Sequence, residues 1–264
     1  MNEPFWQERK GAGPLFAAAI HHGHSVRDEL APLLALDGAE RLREEDPFTG
    51  DWTEIAPSRI MVLRSRFEVD LNRPRVKAVY RTSQDAWGLE VWKDGLPDEI
   101  CERSLIEYDA FYSRMRELLT EIENESGRFI VFDFHSYNHR RGGPGAPPAD
   151  NDSNPQVNVG TGSMDRARWA PVVDRFIRDL RVYDFPGGRL DVRENVKFRG
   201  GQFPTWVHQN FPRSGCAMAI EFKKFFMDEW TGEPDCELLH SIGAALHAVV
   251  PGVLKALKRL RVRL

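Results

Sequence analysis

Short apolar runs that end in polar residues recur along the chain and predict an alternation of strands and helices. Residues 14–24 read as a buried strand that leads into a loop, and residues 59–75 begin as a second strand and end in a Pro-stopped turn. A short helix and an acidic loop are expected between them. The stretch VFDFHSY, residues 131–137, begins as a third buried strand, and its polar residues indicate the end of that strand.

Helical spacing appears in three later segments. Apolar residues three or four positions apart predict a helix over residues 98–125, and Gly127 closes it. Residues 164–182 predict another helix, and residues 237–264 a third, with a kink or break at Pro251. The layered α/β class follows from this alternation with strands.

The remaining segments complete one predicted domain. Residues 189–201 and residues 215–230 each begin as a strand, and the second of these places Glu221 directly after an apolar run. Residues 140–163 are polar and rich in Gly, Pro and Asn, which is typical of a binding loop or lid. No repeat and no linker divides the chain, so a single domain over residues 1–264 is expected.

Charge and cysteine content exclude several classes of partner. The net charge is -4, from 36 basic and 40 acidic residues, which favours neither nucleic acid nor an acidic membrane surface. Three distant cysteines argue against a disulfide framework and for a reducing compartment. The N-terminus has no apolar signal core, and no run of about 18 apolar residues occurs. A cytoplasmic protein is expected; the sequence leaves the oligomeric state open.

One segment carries charge on alternate positions. The stretch SRFEVDLNR is predicted to be strand, with Arg66, Glu68 and Asp70 on one face and Phe67, Val69 and Leu71 on the other. A fully charged face suits either the wall of a site or exposure to water.

Polar residues that follow apolar strands are the candidates for chemistry, because ligands of α/β sheets bind at the carboxyl ends of strands. His21 follows the first strand, His135 the third, and Glu221 the last. Two histidines and a carboxylate with one open coordination position form a usual catalytic zinc set, and a further carboxylate can then move protons. Structural histidines and a solvated acidic turn are the alternatives, and both stay open at this point.

The stretches AIHHG, SRFEVDLNR, FDFHSYNHR, NVKFRGG and AIEFKKFFMDE, in this order, resemble the N-formylglutamate amidohydrolase family. The resemblance covers about residues 14–232. It implies the fold of zinc carboxypeptidases and aspartoacylases: an α/β, three-layer, mixed β-sheet flanked by helices, as in phosphorylase/hydrolase-like proteins. It also implies one Zn²⁺ per chain as cofactor.

The resemblance implies the metal ligands residue by residue. His21 matches the first ligand and His135 the third. The second ligand is acidic and falls in the stretch REEDP, where Asp46 is favoured and Glu45 is the close rival, with His24 as a further alternative. Asp133 then lies behind His135 and supports it.

Substrate-contacting residues follow in the same way. Glu221 matches the general base, and the pair Asn72 and Arg73 resembles the pair that holds a substrate carboxylate in the wider superfamily. Arg73, together with Arg66, is expected to stabilise an oxyanion or bind a carboxylate. The other candidates for substrate charge are Arg140, Arg141 and Arg199.

The expected activity is zinc-dependent hydrolysis of an N-formyl or N-acyl amide on a small anionic amino-acid derivative such as N-formylglutamate. A carboxypeptidase-like deacylase for larger substrates and a non-catalytic anion-binding relative remain as alternatives. The sequence does not fix the acyl group, and histidine and carboxylate ligands also accommodate iron, cobalt or nickel.

Overall fold

The computed structural model describes residues 4–260, and these residues contain one mixed seven-stranded sheet. Its strands are β1 Trp6–Arg9, β2 Leu15–Ala19, β3 Ser58–Val62, β4 Phe129–Tyr137, β5 Val157–Gly160, β6 Val192–Glu194 and β7 Gly215–Lys223. In space they follow the order β1-β3-β2-β4-β7-β5-β6. The four central strands β3, β2, β4 and β7 are parallel, whereas β1 and β5 run antiparallel to β3 and β7.

Helices cover both faces of this sheet. They are α1 Gly38–Glu44, α2 Thr49–Trp52, α3 Asp98–Ser126, α4 Arg166–Val182, α5 Gln202–Asn210 and α6 Cys236–Arg259. One apolar cluster joins the sheet to α3 and α5, and a second joins its other face to α2, α4 and α6. The three-layer α/β class predicted from the sequence is therefore confirmed.

The central strands β2, β4 and β7 begin with continuous apolar runs because both faces of the sheet are covered. In β4, Val131 packs on the α3 side, whereas Phe132 and Phe134 pack on the α4 side, as the alternation of strand side chains requires. All nine residues of β4 and all nine of β7 are buried. The sheet is thus a rigid support for any side chain placed at its carboxyl edge.

The helix α6 is the one helix within residues 4–260 that is long and apolar enough to cross a membrane. It packs on α4, and Ile242, Leu246 and Val249 are buried in the core. The helix continues past Pro251, so the predicted break was wrong. The carbonyl of His247 loses its helical donor at Pro251, and the exposure of His247 allows water to replace that donor.

The charged segment after β3 is not a strand. β3 ends at Val62, and the chain turns so that the Glu68 amide donates to the Ser65 carbonyl at 3.0 Å. Glu68 and Asp70 are buried, as are the apolar residues Phe67, Val69 and Leu71. The predicted division into a charged and an apolar face was wrong because the buried carboxylates are paired with cations: Glu68 with Arg27 at 2.9 Å, and Asp70 with Arg66 at 2.8 Å.

Four further elements were not predicted: β1, α2, β5 and α5. The polar segment 140–163 contains β5, whose Val157 and Val159 are buried between β6 and β7. The helix α5 follows the predicted strand-loop segment that includes β6. Both β5 and α5 are short and lie in polar or glycine-containing sequence, so periodicity alone gave a weak signal.

Candidate metal centre and active site

Three elements bring candidate ligands together at the carboxyl edge of the sheet. His21 lies two residues after β2, and His135 lies in β4, the neighbouring parallel strand. Asp46 follows α1 and is tied to the end of β2, because its amide donates to the His21 carbonyl at 2.9 Å. The Thr49 hydroxyl donates to the Asp46 carbonyl at 2.6 Å and fixes the turn after it.

The donor atoms of these three side chains converge. Asp46 Oδ2 lies 2.9 Å from His135 Nδ1 and 3.5 Å from His21 Nδ1. All three side chains are buried, and one ligand atom from each lies within 4.8 Å of the others. Although burial opposes its ionisation, hydrogen bonds with His135 and His21 hold the pKa of the Asp46 carboxyl well below its usual range.

The far ring nitrogens of both histidines contact further carboxylates. His21 Nε2 lies 2.7 Å from Asp70 Oδ1, a hydrogen bond that requires the proton on Nε2 when the ring is neutral. His135 Nε2 lies 3.0 Å from Asp133 Oδ2, an ion-pair contact rather than a hydrogen bond. For His21 this leaves a free lone pair on Nδ1, the nitrogen that faces Asp46. The 2.9 Å hydrogen bond of His135 Nδ1 with Asp46 places a proton on that nitrogen, and a bound metal would replace this proton.

The donor set fits a zinc ion. Ligand atoms at zinc lie about 2.0–2.2 Å from the metal in a tetrahedron and therefore about 3.3–3.6 Å from one another. The 3.5 Å between Asp46 Oδ2 and His21 Nδ1 falls within that spacing, and the 2.9 Å between Asp46 Oδ2 and His135 Nδ1 is about 0.4 Å shorter than its lower end. Two imidazoles and one carboxylate leave a fourth position for water or substrate, as catalytic zinc sites require.

Glu221 lies beside this cluster. It is in β7, paired in register with His135 of the neighbouring strand, and it is buried. Burial, and then the nearby carboxylates of Asp46 and Asp133, raise the pKa of Glu221 to about 7. A carboxyl with such a pKa exchanges protons readily near neutral pH.

Glu45 and His24 belong to a separate contact set. Glu45 Oε2 lies 2.5 Å from His24 Nδ1, and its other carboxylate oxygen accepts from the Ser65 hydroxyl. The buried Lys224 ammonium donates to the Glu45 carbonyl at 2.8 Å. Among the three residues considered for the second ligand, Asp46 alone lies between His21 and His135.

Asp70 connects the metal cluster to a group of arginines. Besides His21, its carboxylate accepts from Arg66 Nη2 at 2.8 Å and from the Tyr80 hydroxyl. Arg73 Nε lies 3.6 Å from the same carboxylate. Although burial opposes its ionisation, the Arg66 guanidinium and His21 hold the pKa of the Asp70 carboxyl well below its usual range.

Asn72 lies against the metal cluster on the same side. Its amide nitrogen is 3.5 Å from His135 Nε2, and its side-chain oxygen accepts from the Phe203 amide at 3.1 Å. A Cβ atom at Gly201 would lie only 2.3 Å from that oxygen, so the glycine permits this close approach. The first turn of α5 therefore holds Asn72 in place.

The other three arginines lie on exposed loops. Arg141 makes two parallel hydrogen bonds with Glu44, at 3.2 and 3.0 Å. The backbone amide of Arg140 donates to Glu229 at 2.5 Å. Arg199 is exposed, and its carbonyl accepts from the Gly162 amide. None of the three lies among the contacts described for the metal cluster, so their role in binding substrate stays a prediction.

Sequence reasoning missed three residues of this site. Asp70 was assigned to a charged strand face, although it is the partner of His21. Tyr80 and Trp87 pack beside the arginines, and no motif pointed to them. A carboxylate flanked by apolar residues, such as Asp70 between Val69 and Leu71, was the available signal for a buried and paired acid.

Several solved structures are similar to this chain. The solved N-formylglutamate amidohydrolase of Ralstonia eutropha JMP134 is similar over 96% of this chain and 98% of its own, with 16% identity and a TM-score of 0.74. A solved gene product of Agrobacterium tumefaciens covers 94% of this chain and 93% of its own, with 16% identity and a TM-score of 0.64. A metallo-carboxypeptidase of Burkholderia cenocepacia has 15% identity and a TM-score of 0.40 over 95% of this chain and 58% of its own. Among curated proteins, none matches the sequence.

The fold and the buried cluster define a three-layer α/β protein with a centre suited to a metal ion at the carboxyl edge of its sheet. The model of the N-formylglutamate amidohydrolase family matches residues 13–227, which is most of the chain. The chain belongs to this family, and the resemblance seen in its sequence is confirmed.

Proposed function

We propose that this protein is a zinc-dependent amidohydrolase that removes an N-formyl or other N-acyl group from an acidic amino acid, with N-formylglutamate as the first candidate substrate. The observation that carries the proposal is the buried group of His21, Asp46 and His135 with Glu221 beside it. Family membership supports the amidohydrolase class, and the acidic substrate rests on the adjoining arginines.

In this proposal, His21, Asp46 and His135 hold the metal. Zinc bound there supplies Lewis acidity, which polarises the acyl carbonyl and acidifies water. Asp70 and Asp133 orient the two imidazoles through their far nitrogens. The pairing of these carboxylates also keeps the protons on the side of each ring away from the metal.

Glu221 moves the proton. It takes the proton from the attacking water and gives it to the leaving amine when the amide C–N bond breaks. Its position in the rigid strand β7, next to His135, keeps the carboxyl oriented without a mobile loop. The nearby arginines balance charge, since Arg66 and Arg73 can stabilise an oxyanion or hold a carboxylate.

An assay of formate release tests the proposal. The zinc-loaded protein is expected to hydrolyse N-formyl-L-glutamate, to lose activity with a chelator and to regain it with zinc. N-formyl-L-glutamine, which lacks the side-chain charge, is the matched substrate and should react more slowly. Zinc-loaded protein that hydrolyses neither compound nor N-acetyl-L-glutamate, yet binds L-glutamate, would instead favour an anion-binding relative.

A further inference from the structure

We propose that Trp87 is a positioning residue of the substrate carboxylate site, where its indole holds the guanidinium groups of Arg66 and Arg73 in place. The centre of the Trp87 ring lies 4.8 Å from Arg66 Cζ and 5.5 Å from Arg73 Cζ. Both distances are within the range of cation–π attraction. The inference rests on the proposed function, because it assigns these arginines to substrate binding.

Trp87 has an unusual environment for a tryptophan. It is 50% exposed, and its backbone adopts the left-handed conformation with φ of 56°. A bulky residue with positive φ is uncommon and costs free energy, and such outliers concentrate at functional sites. The other exposed large apolar residues of the described chain lack its contact with two arginines next to a buried site.

The turn that carries Trp87 is firmly held. The Thr82 amide and hydroxyl both donate to Asp85, at 3.0 and 2.9 Å. The Gly88 amide donates to the Ser83 carbonyl at 2.7 Å, and Ala86, directly before Trp87, is completely buried. The indole is therefore presented from a fixed backbone rather than from a mobile tip.

The two arginines differ in how they are fixed. Arg66 is bonded to Asp70 Oδ2 at 2.8 Å and to the Tyr80 hydroxyl at 3.3 Å. Within residues 4–260, the Arg73 guanidinium makes no hydrogen bond, and the carboxylate within ion-pair distance is Asp70, 3.6 Å from Nε. Arg73 is instead held by aromatic rings, Tyr80 at 4.8 Å and Trp87 at 5.5 Å.

This difference assigns separate roles. Arg66 belongs to the network around Asp70 and His21, whereas the hydrogen-bonding edge of Arg73 remains available for a carboxylate ligand. Tyr80 is buried and bonded to Asp70, so it cannot be removed without disturbing that network. Trp87 contacts the arginines from the solvent side. There it limits the movement of the two guanidinium groups and their contact with water.

Substitution of Trp87 tests the inference by ligand binding. L-glutamate, the product of the proposed reaction, is titrated calorimetrically into zinc-loaded protein. Trp87→Ala and Trp87→Leu are expected to bind it about tenfold more weakly, because the Arg73 guanidinium is then no longer held in place before the ligand binds. Trp87→Phe keeps an aromatic face and should stay within about threefold of wild type. Zinc content should not change in any of the three variants, and all three should remain folded at the temperature of the titration.

A second cation–π pair provides the control. Arg116 Cζ lies 5.5 Å from the centre of Trp206 in α5, and the Trp206 ring packs on Tyr112 and Phe203. Trp206→Leu removes the same kind of contact and should leave L-glutamate binding unchanged. Comparing Trp87→Leu with Trp206→Leu distinguishes a local effect at the carboxylate site from a general loss of tryptophan packing.

The outcomes distinguish the inference from the proposed function. Weaker L-glutamate binding by Trp87→Ala and Trp87→Leu, with rescue by Phe, supports the inference even if no N-acyl substrate is hydrolysed. In an active enzyme, the same variants should raise KM with little change in kcat. Wild-type affinity in the Ala and Leu variants, or no binding of L-glutamate by the wild-type protein, would overturn it.

Discussion

The strands β4 and β7 contrast sharply in their first and second halves. In the first half, Ile130 pairs with Cys216 and Phe132 with Met218, and all these residues are apolar. In the second half, His135 pairs with Glu221, and Asp133 and Lys223 are also buried. The same two strands therefore support the core at one end and a charged cluster at the other.

The charged half of the two strands requires a partner for each buried charge. Buried charges are tolerated only when they are paired, and here His135 contacts both Asp46 and Asp133. The apolar half supplies the stability that makes this arrangement possible. We therefore expect substitutions in the first half to change mainly stability, and substitutions in the second half to change mainly metal binding and turnover.

The largest effect is expected from Glu221→Gln. Loss of a general base should lower kcat for N-formyl-L-glutamate by about 10²- to 10⁴-fold. Zinc content should stay at the wild-type value, because Glu221 is not among the three clustered ligands. Steady-state kinetics with parallel metal analysis measures both, and unchanged turnover would exclude Glu221 as the base.

Glu221→Gln also tests the charged half of the two strands through the stability of the metal-free protein. Burial raises the pKa of Glu221 to about 7 in the metal-free protein, so the folded state binds a proton that the unfolded state has lost above its pKa of about 4.5. The contribution of Glu221 to the free energy of unfolding therefore falls as the pH rises from about 4.5 to 7, and it stays low above that range. Metal-free Glu221→Gln should therefore resist urea better than metal-free wild type at pH 8.

Phe132→Ala tests the apolar half. The side chain is completely buried and packs on Phe176 and Phe134, so its removal should destabilise the protein by about 3–5 kcal/mol. Phe132→Leu is the milder control, with an expected loss below about 1.5 kcal/mol. Urea unfolding measures both. Loss of zinc from the folded fraction of either variant would contradict the separation between the two halves.

Asp133→Asn and Asp70→Asn test the carboxylates behind the histidines. Each should weaken zinc binding by about 10- to 100-fold in a competition titration with a chelator. Asp70→Asn should also weaken L-glutamate binding, because Asp70 holds Arg66 and Tyr80. Asp133→Asn should not do so. Equal loss of L-glutamate affinity in the two variants would show that metal and anion sites are not separable in this way.

The last prediction concerns His208, which contacts the apolar half of β7 through Ala217. Its Nε2 accepts from the Ala217 amide at 3.0 Å, and its Nδ1 lies 2.8 Å from the Ser163 hydroxyl oxygen. Burial lowers the pKa of His208 to about 4 in the folded state. As the pH falls below about 6.5, His208 is therefore protonated in the unfolded state before it is protonated in the folded state. Stability should fall by at most about 1.4 kcal/mol per pH unit from 6.5 to 4.

His208→Gln isolates this contribution, because glutamine does not titrate. The stability difference between wild type and variant, measured by urea unfolding of metal-free protein from pH 7 to 5, should shrink as the pH falls. The other titrating groups cancel in that difference. A difference that is independent of pH would show that His208 is not held neutral.

The sequence predicted the parts of the fold that have strong periodicity. The helix α3 was expected over residues 98–125 and spans Asp98–Ser126, and the buried start of β4 was also correct. The end of β4 was not, since its polar residues suggested a strand end although the strand continues to Tyr137. Pairing with Glu221 and Lys223 of β7 extends the strand. A local sequence pattern does not predict this contact, because β7 is distant along the chain.

The candidate site was predictable in its residue types but not in its connections. Strand-end histidines pointed to a metal centre, and the structure brings His21 and His135 together around Asp46. The roles of Asp70 and Trp87 depend on irregular segments between β3 and α3, and the alternation around Asp70 indicated a strand that does not form. Such segments are fixed by specific side-chain contacts with distant residues, so the sequence alone did not place them.

Metal analysis of untagged protein is the most direct test of the proposed centre. We expect about one zinc per chain in the wild-type protein and none in His135→Ala. His247→Ala, which removes an exposed histidine from α6, should retain the metal and controls for adventitious surface binding. Wild-type protein that takes up no zinc, or His135→Ala that keeps it, would contradict the assignment of this buried cluster as a metal site.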